Sequence, residues 1–199
     1  MKRLAILVSG RGSNFEAIAR AIREGRLDAR IGLVLSNRAD AKALETAASF
    51  GLPHHCLPSQ GVATDEWARQ AVDLLTPLDI DLICLAGFMR RVGQPLLDTF
   101  AGRILNIHPS LLPAFPGLDV QQQALDYGVK FSGCTVHFVD AGLDTGPIVA
   151  QASVPVLDSD TAQTLAARIL VEEHRIYSQA IALVLSGRYR IEGRRVRPA

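Results

Sequence analysis

Two polar side chains, Asn106 and His108, close an apolar run (Ile104, Leu105, Ile107) and are followed at once by Pro109. Residues i and i+2 of a strand point to one face. The spacing therefore predicts an amide and an imidazole side by side at a strand end, where Pro109 stops the ladder. An amide donor beside an imidazole suits the stabilisation of a developing oxyanion. A capped strand end with a hydrogen-bonded core histidine gives the same pattern, and spacing alone does not separate the two. Further on, Leu143-Asp144-Thr145-Gly146-Pro147 sets a carboxylate in a turn. If Asp144 reaches His108, the pair makes a charge-supported imidazole. An isolated Asp in such a turn is also an ordinary turn residue.

Other polar residues divide between chemistry and plain structure. Ser9-Gly10-Arg11-Gly12-Ser13-Asn14-Phe15 follows a strand candidate and opens a helix, the context in which helix N-terminal amides bind an anion. It is a poor dinucleotide fingerprint, because Phe15 takes the third glycine position and Ser36-Asn37-Arg38 stands where the acidic residue belongs. No Gly-Lys-Ser/Thr follows, so it is no P-loop. What remains is a loop suited to one phosphate, with Gly12 allowing close approach and Ser13 and Asn14 adding donors, or a plain tight turn. Glu173 shares a helix face with Leu165, Ile169 and Ile176. An inward carboxylate needs a partner, either a ligand amine or hydroxyl or a nearby arginine at the rim. His137 alternates with apolar neighbours and reads as a satisfied strand histidine. The adjacent His54 and His55 would point to opposite faces if they stood on a strand, so no metal site is expected. Ser110 lacks a nucleophile elbow, and no cysteine sits in an activating context.

The elements that must position these residues alternate. Leu4 to Ser9, Ile31 to Ser36, Leu82 to Ala86 and Ile104 to Ile107 are apolar on both faces and too short for helices, the mark of a covered parallel sheet. Asn14 to Glu24, Ala41 to Phe50 and Thr64 to Leu75 have helical spacing between them. The expected fold is α/β, an open doubly wound, mostly parallel sheet with helices on both faces. Ligands in such sheets sit beyond the carboxyl ends of the strands, where Gly10 to Asn14, Gly87 to Arg90 and Asn106 to Pro109 fall. In the second half, Gly133 to Val139 and Ile148 to Val156 read as strands around a Gly- and Asp-rich loop, Asp140 to Pro147. A long helix then runs from about Asp160 to Leu185 and ends at Gly187. One domain, 1–199, is expected, its N-terminal part (about 1–103) carrying the phosphate loop and its C-terminal part (about 104–199) the Asn106, His108 and Asp144 segments.

The 199 residues carry 21 Lys+Arg against 20 Asp+Glu, so no global field draws in nucleic acid or a membrane. No apolar run is long enough to span a bilayer. The start, Met1 to Gly10, resembles a signal peptide, but a Gly-rich turn stands where cleavage would occur. Three cysteines without metal spacing fit a reducing cytoplasm.

Taken together, these pieces resemble the folate-dependent formyltransferases, and within them the enzymes that act on glycinamide ribonucleotide. The resemblance covers essentially the whole chain. It rests on Ser9 to Asn14, Leu85-Ala86-Gly87-Phe88-Met89-Arg90, Asn106 to Pro113 with Pro116-Gly117, and Gly133 to Val139 leading to Asp144-Thr145-Gly146-Pro147. It implies transfer of a formyl group from 10-formyltetrahydrofolate to the amine of glycinamide ribonucleotide, a step of purine synthesis, without a metal. It further implies Asn106, His108 and Asp144 as catalytic residues. Gly12, Ser13 and Asn14 would hold the substrate phosphate, and Glu173 would meet the glycinamide. Met89, Arg90 and Val92, with the loop Asp140, Ala141 to Asp144, would line the folate pocket. Two places depart from the family pattern: Ala63 to Trp67 lacks a basic residue near the folate tail, and Asp119 stands where His or Asn is common. The expected partners are small molecules, with no nucleic acid or membrane, for a monomer or homodimer. A hydrolase of the same folate would usually bring a regulatory domain, and a tRNA formyltransferase a tRNA-binding domain and more positive charge. Another formyl acceptor amine remains an alternative. A non-enzymatic nucleotide-binding module explains Gly10 to Asn14 but not Asn106, His108 and Asp144.

Overall fold

The computed structural model describes residues 1–199, the side chain of residue 198 apart. The chain forms two compact units, Met1–Asn106 and Ile107–Ala199. The fold is α/β with a mostly parallel sheet of nine strands.

In the first unit, strands β1 (Lys2–Val8), β2 (Ala29–Ser36), β3 (His54–Cys56), β4 (Leu82–Leu85) and the start of β5 (Ile104–His108) take the order β3-β2-β1-β4-β5. Every pairing among them is parallel. Leu4 to Val8 and Leu82 to Leu85 are buried without alternation, so both sheet faces are covered, as continuous apolar runs require. Helices α1 (Ser13–Arg23), α2 (Lys42–Ser49), α3 (Thr64–Leu75) and α4 (Gln94–Thr99) connect the strands. In α1, Glu16 lies in the first turn and Arg20 and Arg23 in the last, each sign complementing the helix dipole. Two elements carry no strong sequence signal. β3 is a three-residue edge strand with both histidines exposed, and α4 is a six-residue helix opened by proline.

The second unit holds α5 (Val120–Tyr127), β6 (Phe131–Phe138), β7 (Ile148–Pro155), α6 (Ala162–Ser186), β8 (Tyr189–Glu192) and β9 (Arg195–Pro198). β6 and β7 pair antiparallel, β9 lies parallel to β7, and β8 closes a hairpin onto β9. α6 buries Leu165, Ile169, Ile176, Tyr177 and Ile181. Its start is fixed by a capping box of Thr161 and Thr164, and it ends at Gly187 with φ 66°. The strands and long helix expected from the sequence are present within two or three residues at their ends. α5 and the β8–β9 hairpin are additions.

Among the described residues, no helix is long and apolar enough to cross a membrane.

Candidate active site

β5 delivers Asn106 and His108 to one face, and its register against β4 pairs Asn106 with Leu85. Asn106 is half-buried and His108 buried. A buried imidazole needs partners for both nitrogens. His108 Nε2 lies 2.9 Å from the Phe115 carbonyl oxygen. A carbonyl only accepts, so Nε2 carries a proton. Nδ1 lies 3.5 Å from Asp144 Oδ2. The other Asp144 oxygen is 3.7 Å from His137 Nε2. Both separations are longer than an ordinary hydrogen bond.

The two imidazoles are not equivalent. His137 Nδ1 lies 2.8 Å from the Phe138 carbonyl oxygen and so donates to it. Burial pushes the His137 pKa down, and the nearby His108 adds to this. The Phe138 carbonyl and the Asp144 charge oppose it without reversing it. A neutral His137 leaves the Asp144 charge to act on His108. The sequence did not pick out His137 as a neighbour of Asp144, because only the packing of β6 against the loop after it brings them together.

Two loops hold this cluster. The Gly117 N–H donates to Asp144 Oδ2 at 3.0 Å, so Phe115 and Gly117 reach His108 and Asp144 from one short segment. Phe115 and Asp144 both have positive φ, 51° and 53°, at a cost of about 1–2 kcal/mol each. Such conformations persist only where the surroundings over-determine them, and they gather at functional sites. The root of the segment is fixed by Thr135, whose hydroxyl donates to the Ser110 carbonyl at 2.7 Å and accepts from the Leu112 N–H at 3.1 Å. The loop carrying Asp144 is pinned by Asp140, whose Oδ1 accepts from the Gly142 N–H and the Thr145 hydroxyl at 3.1 and 2.6 Å. A Cβ at Gly146 would run into the Phe138 carbonyl, so the chain passes there only as glycine.

Each remaining sequence candidate is held by its own neighbours. Gly12 caps α1 with φ 80°. The close approach it permits is made by α2: a Cβ at Gly12 would lie 2.6 Å from the Ala43 Cβ. Ser13 is half-buried and Asn14 buried in the first turn of α1. Met89 is exposed, and its N–H donates to the Ser9 hydroxyl at 2.8 Å. The Arg90 guanidinium donates to the carbonyls of Ser59 and Val62 at 3.0 and 2.6 Å and lies 6.0 Å from the Trp67 ring. Two of its donors thus hold the 59–62 loop, which the sequence did not suggest, while its buried Nε has no hydrogen-bond partner among the described residues. Val92 is half-buried and Ala141 exposed. Asp119, at φ 54°, starts α5 without a side-chain cap. Glu173 is buried on α6, where its charge reaches Cys134. Burial, then Glu173 and Glu172, push that thiol up to about 12.

A family model described as formyl transferase matches residues 2–181. The chain belongs to the formyl transferase family. A curated phosphoribosylglycinamide formyltransferase from Bacillus subtilis is 42% identical over 186 residues, which cover 93% of this chain and 95% of that protein. The trifunctional purine biosynthetic protein adenosine-3 of Drosophila pseudoobscura pseudoobscura is 47% identical over 196 residues. The match covers 95% of this chain but only 14% of that longer protein. Among solved structures, glycinamide ribonucleotide transformylase 1 from Symbiobacterium toebii superposes with a TM-score of 0.97 at 52% identity, over 100% of this chain and 94% of that one. Within the formyl transferase family, a buried imidazole beside a carboxylate is suited to formyl chemistry, since the formyl oxygen gains negative charge when its carbon is attacked.

Proposed function

We propose that this formyl transferase moves the formyl group of 10-formyltetrahydrofolate to the amine of glycinamide ribonucleotide in purine synthesis. The observation that carries the reading is the buried His108 with Asp144 at 3.5 Å and Asn106 two residues before it on β5. The full-length similarity to the B. subtilis protein supports the choice of acceptor.

The acceptor amine attacks the formyl carbon, and the carbonyl oxygen becomes an oxyanion. His108 and Asn106 donate hydrogen bonds to it, with Asp144 orienting His108. The intermediate collapses by breaking the bond to the folate N10, which takes up a proton as the amine gives one up. Asp144, directly or through water, carries that proton. Neither a metal nor a covalent enzyme intermediate is needed. Holding both substrates in register supplies much of the rate.

The first turn of α1, with Gly12, Ser13 and Asn14, is assigned the ribonucleotide phosphate, because its amides and dipole favour an anion. Glu173 is assigned the glycinamide portion. Met89, Arg90 and Val92, with Asp140, Ala141 and Asp144, are assigned the folate. Arg90 contributes there through its backbone, its guanidinium being engaged with Ser59 and Val62. The chain acts as one domain, a monomer or homodimer with small-molecule partners only.

The test is to incubate the protein with 10-formyltetrahydrofolate, with and without glycinamide ribonucleotide, and to follow the folate product by absorbance. Turnover that requires the ribonucleotide supports the proposal. Equal turnover without it identifies a hydrolase, and none in either case rules out this acceptor.

A further inference from the structure

The proposed reaction asks His108 to donate to the formyl oxygen, yet both of its ring nitrogens are engaged. Nδ1 faces Asp144, and Nε2 donates to the Phe115 carbonyl. An imidazole has only two N–H groups. Donation to substrate through Nε2 therefore requires that the Phe115 carbonyl be given up. A half-buried carbonyl that loses its donor is costly to leave unpaired, and this one sits in a backbone already held at φ 51°.

Ser110 removes that difficulty. It is fully buried, and its hydroxyl lies 2.6 Å from the Ala114 carbonyl oxygen and 3.0 Å from that of Phe115. One hydroxyl proton is thus shared between two acceptors. The Ser110 backbone is itself fixed, because its carbonyl accepts from Thr135. The Phe115 oxygen has two lone pairs, one met by His108 and the other within reach of Ser110.

We propose that Ser110 is a positioning residue for formyl transfer: its hydroxyl keeps the Phe115 carbonyl satisfied when His108 turns Nε2–H to the formyl oxygen. Ser110 touches no reacting atom and acts only through the Phe115 carbonyl and His108. The proposal rests on the assignment of His108 given above, and the two can fail separately.

The experiment is a double-mutant cycle on turnover with Ser110→Ala, His108→Ala and the pair. Ser110→Ala lowers kcat roughly tenfold, the ratio that corresponds to about 1.4 kcal/mol, with KM for both substrates within about twofold of wild type. In the His108→Ala background, the same Ser110 change alters kcat by less than about twofold, because the group it serves is gone. Circular dichroism and thermal melting confirm that each variant is folded. If Ser110→Ala does not fold, Ser110→Cys, which keeps a weaker donor, takes its place in the same cycle. An unchanged kcat in the single Ser110 variant overturns the proposal. So does an equal loss in both backgrounds, which marks a general structural role. A His108→Ala protein with normal kcat instead overturns the assignment of His108.

Discussion

Replacing Gly12 by alanine tests whether the glycine loop is shaped by its own fold or kept open for a ligand. At φ 80° a side chain costs about 1–2 kcal/mol. The new Cβ would also lie 2.6 Å from the Ala43 Cβ and 3.3 Å from the Phe15 ring. Relieving that contact in a packed interior costs roughly 1–3 kcal/mol more. The expected loss is about 2–5 kcal/mol, a fall in melting temperature on the order of 10 °C for a chain of this size. Ala43→Gly alone should cost about 1 kcal/mol through helix propensity. In the double variant the 2.6 Å contact vanishes, but the backbone strain and the 3.3 Å approaches to the Ala43 Cα and the Phe15 ring stay. The pair should therefore be more stable than the sum of the singles by roughly 1 kcal/mol or more. Urea denaturation of the four proteins measures each value. If the losses simply add, or if Gly12→Ala is as stable as the native protein, the argument that α2 demands glycine here is wrong. Calorimetric titration of glycinamide ribonucleotide into the double variant then shows whether the loop also serves the phosphate.

Two further outcomes concern the second unit. Thr161→Ala removes the hydroxyl that accepts from the Thr164 N–H at 3.2 Å; it should cost about 1 kcal/mol, measured by urea denaturation. His137 has its folded pKa pushed below the ordinary 6.5, so below about pH 6.5 the unfolded chain binds more protons at this position than the folded one. Its contribution is thus intact above that pH and is lost as pH falls toward the depressed value. Denaturation at pH 5 to 7.5 should show stability rising with pH, and His137→Gln should reduce that slope. An unchanged slope means that His137 does not set it.

What the sequence made legible follows from what is local. Leu4 to Val8 and Leu82 to Leu85 read as buried parallel strands because both of their faces are apolar, and both are buried. Gly187 marks the end of α6 through capping chemistry that needs no tertiary partner, whereas the Thr161 cap that fixes its start was not singled out. The shared face of Asn106 and His108 follows from the period of a strand. The rest depends on packing. The sequence left open whether Asp144 meets His108, and only the loop held by Asp140 and Gly117 brings them to 3.5 Å. His137 read as a structural histidine because its alternation says nothing of the carboxylate beside it. Gly12 suggested close approach of a ligand, and packing adds a demand for glycine that is not legible locally, the Ala43 side chain 2.6 Å from where a Cβ would lie. Arg90 entered only through the resemblance, and nothing local told that carbonyls of a loop some thirty residues earlier bond two of its donors. β3 escaped notice because an exposed three-residue edge strand has no apolar pattern.

The account stands on His108 as the donor to the developing oxyanion, and its removal is the most direct measurement. His108→Ala should leave circular dichroism and melting close to native and should lower turnover of 10-formyltetrahydrofolate with glycinamide ribonucleotide by at least roughly 100-fold, since one such donor supplies about 3 kcal/mol. A folded His108→Ala protein with near-native turnover would contradict the mechanism.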